Sequence, residues 1–115
     1  MIVGVCRIAL ILPGNDSLKG KRAVVRRIVD RTRSRFNVAA AEIEDMDVKR
    51  RAVIGFVVVS NDSRHANSML DNIASFVLDI SDAVIVDQQM KIVRIGDEMR
   101  NGSASWSVNQ KKFYE

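Results

Sequence analysis

The sequence predicts a single α+β domain whose elements follow the order β-α-β-β-α-β. Three observations lead to this order: four aliphatic extended stretches, two amphipathic helical stretches, and turn residues at the changes between them. Of the 115 residues, 47% are hydrophobic and 28% are charged, with one proline and six glycines. Such a composition is typical of one packed globular domain. We expect the chain to fold without a metal or a cofactor.

The first half of the chain contains a strand and a helix. Residues 2–12 are aliphatic and β-branched, and the turn residues 13–16 follow them, so a strand and a turn are expected. Asp16 or Ser17 can then cap a helix over residues 18–36. The apolar positions that recur there with helical spacing are Leu18, Val24, Val25, Ile28, Val29 and Phe36.

The second half supplies three more strands and a second helix. Residues 38–46 and 51–60 are extended, and the short polar connection between them suits a hairpin. Residues 52–59 are apolar on both faces, which is typical of a central strand. Residues 60–63 offer several helix caps, and residues 83–95 return to strand character. The second helix is indicated by Ala66, Met69, Leu70, Ile73, Val77 and Ile80, which recur at helical spacing.

This order is the split βαβ arrangement of the ferredoxin-like fold, a four-stranded antiparallel sheet with both helices on one face. We assign residues 1–95 to that domain and residues 96–115 to a C-terminal extension. In the extension Asn101-Gly102 favours a hairpin turn, and Ala104, Trp106 and Val108 alternate with polar residues. The extension is expected to form either a further strand that covers the helix-free side of the sheet or a partly disordered tail.

Several function classes are not expected from the sequence. The apolar N-terminal stretch lacks a basic leader and contains Arg7, so neither a signal peptide nor a membrane span is expected, and the protein is expected in the cytoplasm. Cys6 is the only cysteine and is expected in the core. His65 is the only histidine and lacks partners for a metal set or a catalytic triad. We therefore predict no catalytic residue, no metal ligand and no small-molecule substrate.

The first helix and the predicted hairpin are strongly basic. Basic side chains that neutralise phosphates release counterions, so these residues are candidate nucleic-acid contacts. They are Lys19, Lys21, Arg22, Arg26, Arg27, Arg31, Arg33, Arg35, Lys49, Arg50 and Arg51, with Asp30 as the one acid in the helix. A merely solvated face is the alternative. One compact patch is not assured, because Arg22, Arg26 and Arg33 lie on one flank of the apolar stripe and Arg27, Arg31 and Arg35 on the other.

Two other motifs have simpler interpretations. Residues 14–22 are reminiscent of a phosphate-binding loop, but five residues separate the glycines where that motif has four, and Arg22 replaces the required Ser or Thr. Glu42, Glu44, Asp45 and Asp47 could hold a hard cation. We favour edge protection for these acids, since the second strand lies at a sheet edge, and pairing with residues 49–51 across the hairpin.

Collinear motifs over roughly residues 1–95 resemble the YlxP-like family of uncharacterised bacterial proteins. These motifs are Val3-Gly4-Val5, Pro13-Gly14, Ser17-Leu18-Lys19, Lys21-Arg22, Arg35-Phe36-Asn37-Val38, Ala41-Glu42 and Val59-Ser60-Asn61-Asp62. The resemblance implies a ferredoxin-like fold in a bacterial cytoplasmic protein whose family genes lie beside genes for translation and ribosome maturation. It implies no catalytic motif.

Two functions are compatible with these features. In the first, the protein is a non-enzymatic accessory factor that contacts RNA or a ribosomal subunit through its basic helix. In the second, it is a homodimeric interaction module, because the second face of the first strand is too apolar to remain in water. That face carries Val3, Val5, Ala9 and Ile11, which a second subunit or the C-terminal strand would bury.

Overall fold

The computed structural model describes residues 1–96 and confirms the predicted order of elements. The elements are β1 (Ile2–Ile11), α1 (Leu18–Arg35), β2 (Ala39–Glu44), β3 (Arg51–Ser60), α2 (Ser63–Asp79) and β4 (Val84–Arg94). The predicted C-terminal strand or tail lies outside the described residues, apart from Gly96.

The four strands form one antiparallel sheet in the order β2-β3-β1-β4, so β1 and β3 are central and β2 is an edge strand, as predicted. Successive side chains of a strand point to opposite faces. In β1 the even-numbered residues from Ile2 to Leu10 are buried under the helices. The odd-numbered residues, from Val3 to Ile11, lie on the other side, which we call the open face.

Both helices pack on the same side of the sheet and enclose one core. Ile28 of α1, Ile73 of α2 and Ile54 of β3 are completely buried in this layer. Burial of each such side chain contributes about 1.5–3 kcal/mol relative to leaving it in water. The core therefore holds the helices to the sheet and confirms the predicted two-layer arrangement.

Each helix begins at a side-chain cap. Ser17 Oγ accepts a hydrogen bond of 3.0 Å from the Gly20 N–H, and an Asp62 carboxylate oxygen accepts one of 3.0 Å from the Arg64 N–H. Each cap satisfies a backbone donor that the helix leaves without a partner, which stabilises the helix by about 1 kcal/mol. Ser17 is thus the cap of α1, one of the two candidates.

β3 has the predicted bounds, and those of the other strands and of α1 differ from the predicted ones by at most two residues. The largest difference is in β2, which ends at Glu44 because Asp45 adopts a left-handed conformation with φ of 57°. Helix α1 ends at Arg35, since the backbone of Phe36 is already extended at φ −121° and ψ 150°. The sequence pattern did not indicate the reversal at Asp45, which is a non-glycine residue.

Gly4 marks a close approach between β1 and the second helix. A Cβ at this position would lie 2.9 Å from a methyl of Val58 and 3.0 Å from a methyl of Leu70, both in the core. Gly55 differs, because its Cβ would meet only the Ile43 side chain, at 3.3 Å, and Ile43 is half-exposed and can move.

We predict that Gly4→Ala destabilises the protein by about 1–3 kcal/mol, because the extra methyl overpacks the core. Gly55→Ala is the matched control and is expected to change the free energy of unfolding by less than about 1 kcal/mol. Urea unfolding followed by circular dichroism measures both. Equal stability of the two variants would contradict the close packing at Gly4.

Candidate nucleic-acid interface

Lys21 is the one charged residue of α1 that lies in the core. The buried residues of this helix are Lys21, Val25, Ile28 and Thr32, which follow one another at spacings of four, three and four. Leu18 continues the same stripe toward the N-terminus. This spacing was available in the sequence, but we assigned Lys21 to the basic surface on its chemistry alone.

The Lys21 ammonium group lies among oxygens from three parts of the chain. Its Nζ donates hydrogen bonds to the carbonyl oxygens of Asp45, at 2.6 Å, and Arg51, at 3.2 Å. The Glu42 carboxylate lies 3.0 Å away and is itself mostly buried. A buried ammonium group needs such partners to offset its loss of hydration. The prediction that Lys21 contacts nucleic acid is therefore corrected, because its side chain is 0% exposed.

The loop between β2 and β3 packs against the N-terminal end of α1. The Asn15 side-chain amide donates to the carbonyl oxygens of Ser17, at 2.9 Å, and Lys49, at 2.5 Å. Arg50 Nε donates in turn to the Asn15 carbonyl at 3.2 Å. Together with the contacts of Lys21, these bonds place Lys49 and Arg50 beside the first turn of the basic helix.

Four exposed cations form a line along the outside of α1, which we call the outer stripe. At 100° per residue they fall within an arc of about 60° whose centre lies about 120° around the helix from the centre of the buried residues. They are Lys19, Arg22, Arg26 and Arg33. Among residues 1–96, no carboxylate oxygen lies within 4.0 Å of any of these four side-chain charges.

The remaining arginines of α1 lie on the flank that faces α2. Arg27 lines a pocket of 230 Å³ together with Asp82, which follows α2. The guanidinium of Arg35 lies 5.2 Å from the ring centre of Phe76 and 5.8 Å from that of Phe36. Arg31 is exposed on the same flank. The N-terminal end of the outer stripe therefore lies beside the loop that carries Lys49 and Arg50. Arg27, Arg31 and Arg35 lie instead on the flank beside α2.

The acids at the end of β2 and directly after it form ion pairs with three different elements. Glu42 pairs with Lys21, Glu44 with Arg7, and Asp45 with Arg51, whose Nε lies 2.8 Å from the carboxylate. Arg51 is thus partly neutralised and contributes less to the basic surface than Lys49 and Arg50. In the part of the chain that the structure describes, no three His, Cys, Asp or Glu side chains are grouped to hold a metal ion.

Arg7 lies at the centre of the open face and connects three strands. Its guanidinium pairs with Glu44 on β2 and, at 3.2 Å, with Asp87 on β4. The hydrogen bond to Glu44 raises the pKa of Arg7 above its ordinary value. Ala9, which we expected to be part of an apolar open face, is 0% exposed beside this cluster. The sequence indicated Arg7 only as an interruption of an apolar strand.

Cys6 is a core residue, as predicted. Its side chain is 2% exposed, and burial, with a smaller effect of the negative charge on Asp71, raises the thiol pKa from 9.0 to about 11. The thiol is therefore protonated at neutral pH and is a poor nucleophile. His65 is exposed, as expected.

The fold and this surface define a ferredoxin-like α+β protein with a basic outer helix, and comparison with known proteins places it in a family. The chain belongs to the family described as "Protein of unknown function (DUF503)", whose model matches residues 3–90. It is 32% identical over 76 residues to "Uncharacterized protein YlxP" of Bacillus subtilis (strain 168), an alignment that covers 66% of this chain and 83% of that protein. The resemblance inferred from the sequence motifs is thereby confirmed.

Similar solved structures support the fold alone. A de novo designed protein with a ferredoxin fold matches with a TM-score of 0.57 at 12% identity, over 84% of this chain and 90% of that chain. The structural genomics protein YJCS matches with a TM-score of 0.50 at 8% identity, over 80% and 99% of the respective chains.

In the described part of the chain, neither helix is long and apolar enough to cross a membrane.

We predict that Lys21→Met costs about 3–5 kcal/mol of stability, because it leaves the Glu42 carboxylate buried without its cation. Lys19→Met is the matched control and should change stability by no more than about 0.5 kcal/mol, since Lys19 is exposed. Adding Glu42→Gln to Lys21→Met should restore part of the loss. Urea unfolding measures the stability of all three variants. Equal stability of Lys21→Met and Lys19→Met would refute the buried contacts of Lys21 with Glu42, Asp45 and Arg51, which we call the node.

We predict that the Cys6 thiol reacts slowly with a disulfide reagent in the native protein and rapidly in urea. Because folding raises its pKa, the protonated thiol is favoured in the folded state, and this stabilisation is fully present below pH 9 and lost as the pH rises toward about 11. Stability should therefore fall more steeply over this range in the parent protein than in Cys6→Ala. Rapid native labelling at pH 7 would show that the thiol is accessible.

Proposed function

We propose that the protein is a non-enzymatic RNA-binding accessory factor of bacterial translation that contacts phosphates through the outer stripe and the neighbouring loop. The observation that carries this proposal is that hydrogen bonds through Asn15 hold Lys49 and Arg50 beside the N-terminal end of α1, where the outer stripe begins at Lys19. Of the nearby acids, Glu42, Glu44 and Asp45 are paired with other bases. Asp30, the one acid of α1, lies on the same side of the helix, but its carboxylate is more than 4.0 Å from each cation of the outer stripe. The charges that remain on this side are available to an anionic partner.

The position of the stripe gives a second argument. The first turn of α1 contains Lys19 and Lys21 and no acid, although cations are unfavourable near the positive end of a helix dipole by about 0.3–1 kcal/mol. Burial in the node explains Lys21 but not Lys19. A phosphate beside the first turn would be attracted both by Lys19 and by the dipole, which favours an anionic partner over a merely solvated helix.

The length of the stripe suits a polymer better than a small anion. Lys19 and Arg33 are fourteen residues apart, which corresponds to about 21 Å along the helix axis at 1.5 Å per residue. A single phosphate cannot contact both ends of this line, whereas a nucleic-acid backbone passes several phosphates over such a distance. The translation context that the family resemblance implies selects RNA among the polyanions.

We predict that the variant with Arg22, Arg26 and Arg33 changed to Ala loses most of its affinity for RNA. If each arginine contacts one phosphate, the slope of log affinity against log salt should become shallower by about 2–3. Binding of the protein to purified ribosomal subunits and to a structured RNA fragment, measured across a salt series, tests this expectation.

The matched control changes Arg64, Lys91 and Arg94 to Ala. These exposed side chains lie outside α1 and its neighbouring loop, and their replacement alters the net charge by the same amount. Loss of binding in the α1 variant only would support a local interface. Equal loss of binding in both variants would mean that only the net charge of the chain matters, and would overturn a local interface on α1. Absence of salt-dependent binding in the parent protein would also overturn the proposal.

A further inference from the structure

Strand β4 has an outer edge that is free within residues 1–96. The sheet order is β2-β3-β1-β4, so β4 pairs with β1 on one side only. Its other side presents unpaired backbone N–H and C=O groups along an eleven-residue strand. The helices cover this edge only in part, since Met90 lies opposite Cys6 on the helix side and is still 36% exposed. Such an edge can accept a further strand.

Two opposite charges lie in the middle of this strand and on the same face. Asp87 and Lys91 are both exposed on the open face, because their partners on β1 are odd-numbered. Arg7 and Gln89 contact Asp87 through the same oxygen, Oδ2, at 3.2 and 3.5 Å. In the described chain, no carboxylate oxygen lies within 4.0 Å of the Lys91 ammonium group. Oδ1 of Asp87 and the Lys91 ammonium group can therefore both pair with an added strand.

A second copy of β4 supplies the matching charges when it adds antiparallel about a two-fold axis at Gln89. Contacts across such an axis are reciprocal, so Asp87 of each copy lies opposite Lys91 of the other. Opposite charges in directly facing positions stabilise a strand pair. In the two neighbouring registers that keep the same outward backbone groups, Asp87 would lie opposite Gln89 or Val93 instead. The charges therefore favour one register.

The apolar residues of β4 also match in this register. A β-bulge removes Val86 from the pairing with β1, and Val86 is 50% exposed. With the same bulge toward a second copy, Ile85 of one chain lies opposite Ile92 of the other, both on the helix side. The next pair is Val84 with Val93, both on the open face. Each apolar residue thus meets another on its own side of the sheet.

We propose that two copies of the chain join at β4, antiparallel and centred on Gln89, to form one continuous eight-stranded sheet. The two reciprocal pairs of Asp87 with Lys91 select the register, and the apolar pairs flank them. An interface limited to one strand pair is small, so we expect a dissociation constant in the micromolar range. Helix α1 packs against β2, at the opposite edge of the sheet. This inference is therefore independent of the proposed RNA-binding function.

Charge reversal tests the register directly. Sedimentation velocity of the full chain, over a series from low micromolar to millimolar concentration, should show a monomer that converts to a dimer. Asp87→Lys sets two lysines opposite each other, and Lys91→Asp sets two aspartates opposite each other. Each variant alone should therefore dimerise more weakly by about tenfold or more. Reversal is preferred to alanine, which removes only the attraction.

An equimolar mixture of the two variants should dimerise again. In the mixed dimer the introduced lysine faces the introduced aspartate, and the native Asp87 faces the native Lys91, so both ion pairs are restored. This recovery also shows that neither variant lost its dimer by misfolding, which circular dichroism checks separately. The matched controls are Asp47→Lys and Lys49→Asp, which make the same charge changes at exposed positions in the β2–β3 loop and should leave the dimer unchanged.

Three results would overturn the proposal. A parent protein that stays monomeric up to millimolar concentration would leave Lys91 and the bulge as protection of a free edge. A dimer that both reversals leave intact would lie on another surface. Two monomeric variants that fail to dimerise when mixed would exclude the register centred on Gln89.

Discussion

The buried ammonium group of Lys21 is the interaction on which the arrangement of the basic surface depends. An uncompensated charge in a core is strongly destabilising, so the oxygens around Lys21 have to be held in place. They come from Glu42 on β2, from Asp45 in the following loop and from Arg51 at the start of β3. One side chain of α1 therefore determines where the β2–β3 connection lies.

The local backbone around this node is consistent with that requirement. Asp45 adopts the left-handed conformation, which is unusual for a residue with a side chain, while its carbonyl accepts from Lys21 and its carboxylate from Arg51. The register shift between Glu42 and Glu44 turns Glu42 toward the helix and Glu44 toward Arg7. The side chains of Glu42 and Glu44 therefore form ion pairs on opposite faces of the sheet. Within residues 1–96 the four cations of the outer stripe have no carboxylate partner within 4.0 Å, and neither have Lys49 and Arg50.

The sequence predicted the fold well because periodicity and turn residues report on which side of an element is buried. Strand order, both helices and the location of Cys6 follow from that information. The roles of Lys21 and Arg7 did not follow, because hydrophobic pattern analysis places every lysine and arginine in water unless its partners are known. Those partners are 21 and 37 residues away in the chain, at Glu42 and Glu44, and only the strand register brings them together.

In the function that we propose, the contacts of Lys21 hold Lys49 and Arg50 beside the outer stripe, and these cations together form one RNA-binding surface. The most direct measurement is a nuclear magnetic resonance titration of isotope-labelled protein with a structured ribosomal RNA fragment. We expect amide shift changes in residues 19–33 on the outside of α1 and in residues 45–51, with little change in β4. Shifts confined to the open face or to the α2 side, or no shifts at low salt, would contradict it.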